Sequence, residues 1–333
     1  MEIIRDLLPA IQSVASQRPA LMLAGPRQAG KSTALRQAFS NHRYVSLDLP
    51  HVADLAEEAG AQFLQRYPPP VIVDEVQYAP VLLRHIKADI DAHRDENGRY
   101  ILTGSQQFHL NQSGAESLAG RVGILNLNSL SLHELERAFG TAAEGDRLLH
   151  WILAGGYPEI HAKGIDAELF FSGYIPTYLE RDIRHVVQVR NAREFNRFLR
   201  LLAARTGQMA SHSSIATDLG LSPNTVKTWT DVLEGAGVIR FCEPYFNNFG
   251  KRIVKTPKIY FLDTGLVCFL LGLHSIQALR ESALYGHIFE TLAFGQLVRS
   301  FTHLGKQAEI YFYRDHHGKE VDFVVPNEGR LDI

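Results

Sequence analysis

The sequence predicts an α/β protein: a parallel sheet wrapped by helices, then a helical stretch, then a smaller mixed α/β part. Three observations carry this. Short apolar runs alternate with helical patterns over about the first 150 residues, as strands joined by helical crossovers do. Apolar residues then recur at helical spacing from 130 to 205, interrupted by Gly155-Gly156-Tyr157-Pro158. The chain of 333 residues is 45% hydrophobic and 21% charged, enough to bury real cores. Its 34 basic and 36 acidic residues give a net charge of −2, which excludes a globally basic nucleic-acid binder but not a local basic face. Two cysteines, Cys242 and Cys268, are too few for a disulfide scaffold or a Cys-based zinc site and suit a reducing cytosol. The strongest apolar run, Leu266–Leu271, stops at Gly272, far short of the ~18–20 residues of a membrane span. A soluble, cytoplasmic chain with no membrane partner is expected.

Taken in order, Ile3, Ile4, Leu7, Leu8, Ile11 and Val14 share one face of an amphipathic helix over 1–16, unlike a signal peptide. Strands are expected at Ala20–Ala24, Tyr44–Asp48, Val71–Asp74, Tyr100–Thr103 and Ile124–Leu127. The first strand runs into Gly25-Pro26-Arg27-Gln28-Ala29-Gly30-Lys31-Ser32-Thr33, a complete G-x-x-x-x-G-K-S loop opening a helix near Lys31. Such a loop curls backbone N–H groups around phosphates, and the helix N-terminus favours their charge. Lys31 is the point charge for the β/γ-phosphates of ATP, and the Ser32 hydroxyl a ligand for Mg²⁺.

Val71-Ile72-Val73-Asp74-Glu75 reads as a buried strand ending on two acids. Solvated turns also carry paired acids; the phosphate loop upstream selects the metal reading. Asp74 then belongs to the Mg²⁺ shell, and Glu75 polarises the attacking water. Thr103, Gly104, Ser105 and Gln106 leave the next strand, where a polar group such as Ser105 would sense the γ-phosphate; an ordinary strand exit reads equally well. Arg121 opens the following strand, either as a transition-state cation, in cis or from a neighbouring subunit, or as a solvated side chain. If it acts in trans, ATP should promote a homo-oligomer.

These segments, with SLAGRV, KTPKIYFLDTGL and the late EVDFVV, resemble over essentially the whole chain the prokaryotic AAA-type P-loop ATPases that carry a C-terminal domain of unknown function. The resemblance implies a P-loop core with strand order 5-1-4-3-2, a winged helix and a restriction-endonuclease-like module. On it the chain divides into a core at 1–130, a helical lid or linker at 131–205, a winged helix at 206–265 and a nuclease-like module at 266–333 that reads as truncated. Mg²⁺-dependent ATP hydrolysis repositioning the C-terminal half is the function implied, the alternative being a nucleotide-dependent switch that recruits a protein partner with little turnover.

The winged-helix grammar is also local. Gly220 fits the tight turn, Ser222 the N-cap and Pro223 the first helical position. The second helix offers one cation, Lys227, too few for confident base reading. More basic are Arg190, Arg193, Arg197 and Arg200 at helical spacing, and Lys251, Arg252, Lys255 and Lys258 in the following hairpin. Either set tracks a DNA or RNA backbone or is simply solvated. His316-His317 lacks further ligands at metal spacing. A helix at Ile288–Thr302 and strands at Glu309–Arg314 and Glu320–Val325 close the chain. Glu290 and Asp322 resemble the helix Glu and strand Asp of the restriction-endonuclease-like pattern. That pattern adds an acid and a Lys on the next strand, Arg330–Ile333, where no Lys is present. Glu290 and Asp322 are therefore expected to be vestigial, without nuclease activity in this chain.

Overall fold

The structure, a computed structural model, describes residue 1 and residues 3–104, 118–179, 192–245, 256–315, 317–327 and 330–333. The chain divides into two compact units. One comprises Ile4–Asn128 with Thr302–Lys306, the other Met1–Ile3, Ser129–Phe301 and Gln307–Ile333.

The N-terminal unit is built on five strands, β1 (Ala20–Ala24), β2 (Arg43–Ser46), β3 (Val71–Asp74), β4 (Tyr100–Gly104) and β5 (Val122–Asn126). They lie in the order β2-β3-β4-β1-β5 with every pair parallel, the expected 5-1-4-3-2. Alternation sorts the side chains: Met22, Val71, Val73, Tyr100 and Leu102 enter one core, and Leu21, Leu23, Ile72 and Ile101 the other. A sheet apolar on both faces must be covered on both. Helices α1 (Leu8–Gln17) and α2 (Lys31–Ala38) cover one face with Ile11, Ala15, Ala34 and Leu35. Helices α3 (Pro50–Glu58), α4 (Gly60–Arg66) and α5 (Leu82–Ala92) cover the other with Val52, Phe63, Ile86 and Ile90. Helix α1 starts at Leu8 rather than at the chain start, because Pro9 suits only a first turn. Ile4 is consequently exposed, while Leu7 and Ile11 are buried as expected.

The C-terminal unit opens with α6 (Leu132–Phe139), started by a reciprocal box in which Ser131 and Glu134 cap one another's N–H groups. It continues through α7 (Gly145–Ala154), α8 (Pro158–Lys163), α9 (Ala167–Tyr174) and α10 (Ala192–Ala204). Gly155 is required where α7 ends: its φ is +72°, and a Cβ would lie 2.2 Å from Asp263 Oδ1. The short strand β6 (Gln208–Met209) precedes α11 (His212–Leu219) and α12 (Pro223–Gly235). Gly220 is left-handed at the turn between them, and Ser222 accepts the Thr225 N–H at 3.1 Å. Trp229 of α12 meets Phe195 and Phe198 of α10 edge-to-face in one core. Strands β7 (Ile239–Pro244) and β8 (Lys258–Phe261) follow, then α13 (Thr264–Leu271), α14 (Ile276–Glu281), α15 (Tyr285–His303), β9 (Tyr311–Arg314), β10 (Glu320–Asn327) and β11 (Arg330–Asp332). The sheet order is β11-β10-β9-β7-β8-β6. Arg330–Asp332 pairs antiparallel with Val325–Asn327. Among the described residues no helix is long and apolar enough to cross a membrane.

Candidate functional site

The parallel strands of the N-terminal unit deliver their C-terminal ends to one edge, where ligands of open α/β sheets bind. There Gly25 leaves β1 with φ +144°, and a Cβ on it would sit 2.1 Å from the Leu127 carbonyl oxygen, so only glycine lets the loop begin. Pro26, Arg27, Gln28, Ala29 and Gly30 carry the chain round to α2, and Lys31 and Ser32 open that helix, with Thr33 exposed behind them. Gln28 takes the left-handed conformation (φ 60°) within the turn. Lys31 is buried, its Nζ donating to the Gly25 and Pro26 carbonyls at 3.0 Å each. Arg27 reaches the Tyr78 hydroxyl at 3.4 Å.

Asp74, at the end of β3, is the hub. The Ser32 hydroxyl donates to its Oδ2 at 2.8 Å, the Tyr44 hydroxyl donates to the same oxygen, and Thr103 donates to Oδ1. Burial, then the bond to Asp74, pushes the Tyr44 phenol up to about 12, so it stays a donor at neutral pH. The Arg36 guanidinium lies 3.7 Å over the Tyr44 ring centroid. Glu75 turns sharply out of the strand with φ 59°, a conformation that costs a non-glycine residue about 1–3 kcal/mol. Its N–H donates to Thr103 Oγ1 at 3.0 Å, and its carboxylate accepts from the Gln77 amide.

Thr103 therefore joins both acids, although the sequence reading favours Ser105, which lies outside the described residues. The signal was available: a fully buried hydroxyl ending an apolar strand needs partners, and the neighbouring strand end supplies them. Arg121 corrects the cis expectation. It precedes β5 at Val122, opposite the Ala20 end of β1, whereas the loop follows Ala24. A five-residue strand, about 17 Å, separates the two ends. Arg121 instead pairs with Asp91 at 2.8 and 3.1 Å, and the hydrogen bond holds the Asp91 carboxyl below its ordinary range.

A second charged cluster lies in the C-terminal unit and corrects another expectation. Lys258, grouped by sequence with an exposed basic hairpin, is 3% exposed. It bonds Glu290 at 2.8 Å, Glu320 at 2.5 Å and Asp322 at 3.1 Å. Burial opposes its charge, but these carboxylates outweigh burial and raise its pKa. The Tyr260 hydroxyl also donates to Glu290. Glu290 and Asp322 are thus both bonded to one lysine, supplied by β8. Strand alternation hints at this, since Lys258 and Tyr260 fall on one face and Ile259 and Phe261 on the other. Lys251, Arg252 and Lys255 lie outside the described residues, as does Arg190; Arg193, Arg197 and Arg200 are exposed on α10. Both cysteines are buried, and burial pushes each thiol up to about 12.

A glycine loop between a buried parallel strand and a helix, with Asp74 bonded to the loop serine, defines an AAA-type P-loop ATPase core. The chain belongs to a family of AAA-domain proteins that includes two mycobacterial relatives, uncharacterized protein Mb2031c of Mycobacterium bovis and uncharacterized protein Rv2008c of Mycobacterium tuberculosis. Each is 30% identical over 328 residues, covering 98% of this chain and 72% of the relative. Residues 17–136 match the AAA domain model, and residues 145–277 and 285–332 match two domains of unknown function, DUF8612 and DUF4143. Among solved structures, the Walker-type ATPase PABY2304 of Pyrococcus abyssi shares the fold, with a TM-score of 0.52 and 16% identity over 80% of this chain and 94% of that one.

Proposed function

We propose that the protein binds ATP with Mg²⁺ on the loop 25–33 and hydrolyses it, using the cycle to reposition the winged-helix and nuclease-like C-terminal half of a cytoplasmic protein. The observation that carries this reading is the 2.8 Å bond between Ser32 and Asp74, beside a buried Lys31. A hydroxyl and a carboxylate oxygen are the hard donors Mg²⁺ takes in such sites, so these two side chains fit it. When bound, the ion neutralises charge on the phosphates. Lys31 supplies the second positive charge, and loop N–H groups orient the anion. Glu75 accepts the proton of the attacking water, and Thr103 fixes Asp74 and Glu75 relative to one another. Ser105 would face the γ-phosphate, and Arg121 would act only on a neighbouring subunit's nucleotide.

Lys31→Ala should abolish nucleotide binding. Glu75→Gln should keep binding and slow turnover by roughly 10²–10⁴-fold, because it keeps the shape and removes the base. Equal turnover by Glu75→Gln and the parent would overturn the assignment.

The exposed arginines of α10 support a nucleic-acid backbone as partner, to be tested as turnover with and without DNA or RNA. A second reading, a slow switch that recruits a protein, is favoured by α12. Its Lys227 is paired with Asp231 at 2.5 Å within the helix rather than presented to a base.

A further inference from the structure

Arg5 lies outside every motif of the sequence, yet it is 4% exposed. Its Nη1 donates to the carbonyl of Ala29, inside the phosphate loop, and its Nη2 to the carbonyl of Asn128, each at 2.7 Å. A buried guanidinium is tolerated only where acceptors meet its fork of donors, and a fork holds two fixed carbonyls where an ammonium would not. Asn128 is itself buried, and its Nδ2 donates to Thr302 Oγ1 at 3.2 Å, in the last turn of α15.

The positions of these residues matter as much as their bonds. The chain passes between its two units after Ile3, after Asn128 and after Phe301. Arg5, Asn128 and Thr302 each lie within two residues of one of these crossings, on the nucleotide side. The residue across the middle crossing, Ser129, is also buried and fixed: its carbonyl and hydroxyl accept from Arg299 at 2.9 and 2.6 Å. Asn128 and Ser129, on either side of this crossing, are thus each bonded to a buried arginine of their own unit. Leu127 adds a second tie to the loop, since its N–H donates to Ala24 and its carbonyl packs on Gly25.

We propose that Arg5 is a positioning residue that couples the phosphate loop to the chain crossings, through Ala29–Arg5–Asn128–Thr302. The proposal rests on the nucleotide reading above. Phosphate entering the loop gathers its N–H groups, and the resulting adjustment of the peptide at Ala29 is felt by the guanidinium that holds its carbonyl. That guanidinium also holds Asn128, so the response passes to the crossings at 128–129 and 301–302. Linkage makes the coupling reciprocal, so loosening the crossings must alter nucleotide affinity.

The test is amide hydrogen exchange of the full chain with and without Mg²⁺ and a non-hydrolysable ATP analogue, together with analogue affinity. In the parent, nucleotide should slow exchange at 25–33, 127–130 and 302–306. Arg5→Met and Arg5→Lys should retain protection at 25–33, lose it at 127–130 and 302–306, and bind the analogue about tenfold more weakly. Thr302→Val, which removes the hydroxyl that accepts from Asn128, should lose the response at 302–306 and keep it at 127–130. It also carries the test if Arg5→Met does not fold. Crossing segments that respond equally in the Arg5 variants, or that stay silent in a parent protected at 25–33, overturn the proposal. A parent with no protection at 25–33 overturns the nucleotide reading and this coupling with it, a result distinct from the other two.

Discussion

Replacing Lys258 with methionine removes a buried cation from among three carboxylates. The Lys258 side chain is 3% exposed and its ammonium answers Glu290, Glu320 and Asp322, whose side chains are 16%, 27% and 58% exposed. Removing one partner of a buried ion pair costs about 3–5 kcal/mol, because the remaining charge is left uncompensated. Water screens Asp322 and partly screens Glu320, which places the loss near the lower end, about 3 kcal/mol. Denaturant unfolding of the full chain at neutral pH measures it. The pH dependence supplies the sign. Lys258 has a raised folded pKa, so its contribution is complete below the unfolded lysine value of about 10.4 and is lost as pH rises through the folded one. In Lys258→Met the three carboxylates face one another without a cation, so added salt, which screens their repulsion, should shrink the deficit relative to the parent. Adding Glu290→Gln and Asp322→Asn should recover much of the loss. A deficit below about 0.5 kcal/mol would refute the argument, since a solvated lysine behaves that way.

Thr103→Val keeps the shape and removes the hydroxyl that serves Asp74 and the Glu75 N–H, so it should cost about 1–3 kcal/mol of stability and slow ATP turnover; unfolding and turnover near parental values would remove Thr103 from the site. Mixing Arg121→Ala with Glu75→Gln tests the remaining route for Arg121: regained activity places it on a neighbour's nucleotide, whereas two inert partners staying inert leaves only its pair with Asp91. For Glu290 and Asp322, incubation with nucleic acid and Mg²⁺ or Mn²⁺ should give no cleavage; cleavage abolished by Asp322→Ala would restore a nuclease role.

The residues legible in the sequence were those whose meaning is local. Gly25–Thr33 and Val71–Glu75 carry fixed spacing and a strand-to-helix or strand-to-turn context, so a short window contains most of the argument. Ser222-Pro223 after Gly220 likewise announces a helix start by its own chemistry. Lys258 is hidden in the sequence because four cations in one hairpin look like a solvated edge, and its acceptors lie 32 and 64 residues away on α15 and β10. Thr103 is not distinguished from Ser105 by sequence because strand exits are rich in hydroxyls, and the pairing of β3 with β4 brings Thr103 to Glu75.

Arg5 shows the limit most clearly, since a lone arginine beside Asp6 near the chain start has the look of a solvated helix flank. Burial reverses that meaning. Once the guanidinium is out of water it must be answered by acceptors, and here two backbone carbonyls from distant segments answer it. Carbonyl acceptors have no residue signature, so no pattern of side chains could have announced them. The same holds at Arg299, which answers Ser129 and Leu262 through their carbonyl oxygens. Conspicuous motifs therefore mark where phosphate chemistry is expected, while two inconspicuous arginines hold the carbonyls of Asn128 and Ser129. The coupling proposed for the loop runs through bonds of that second kind.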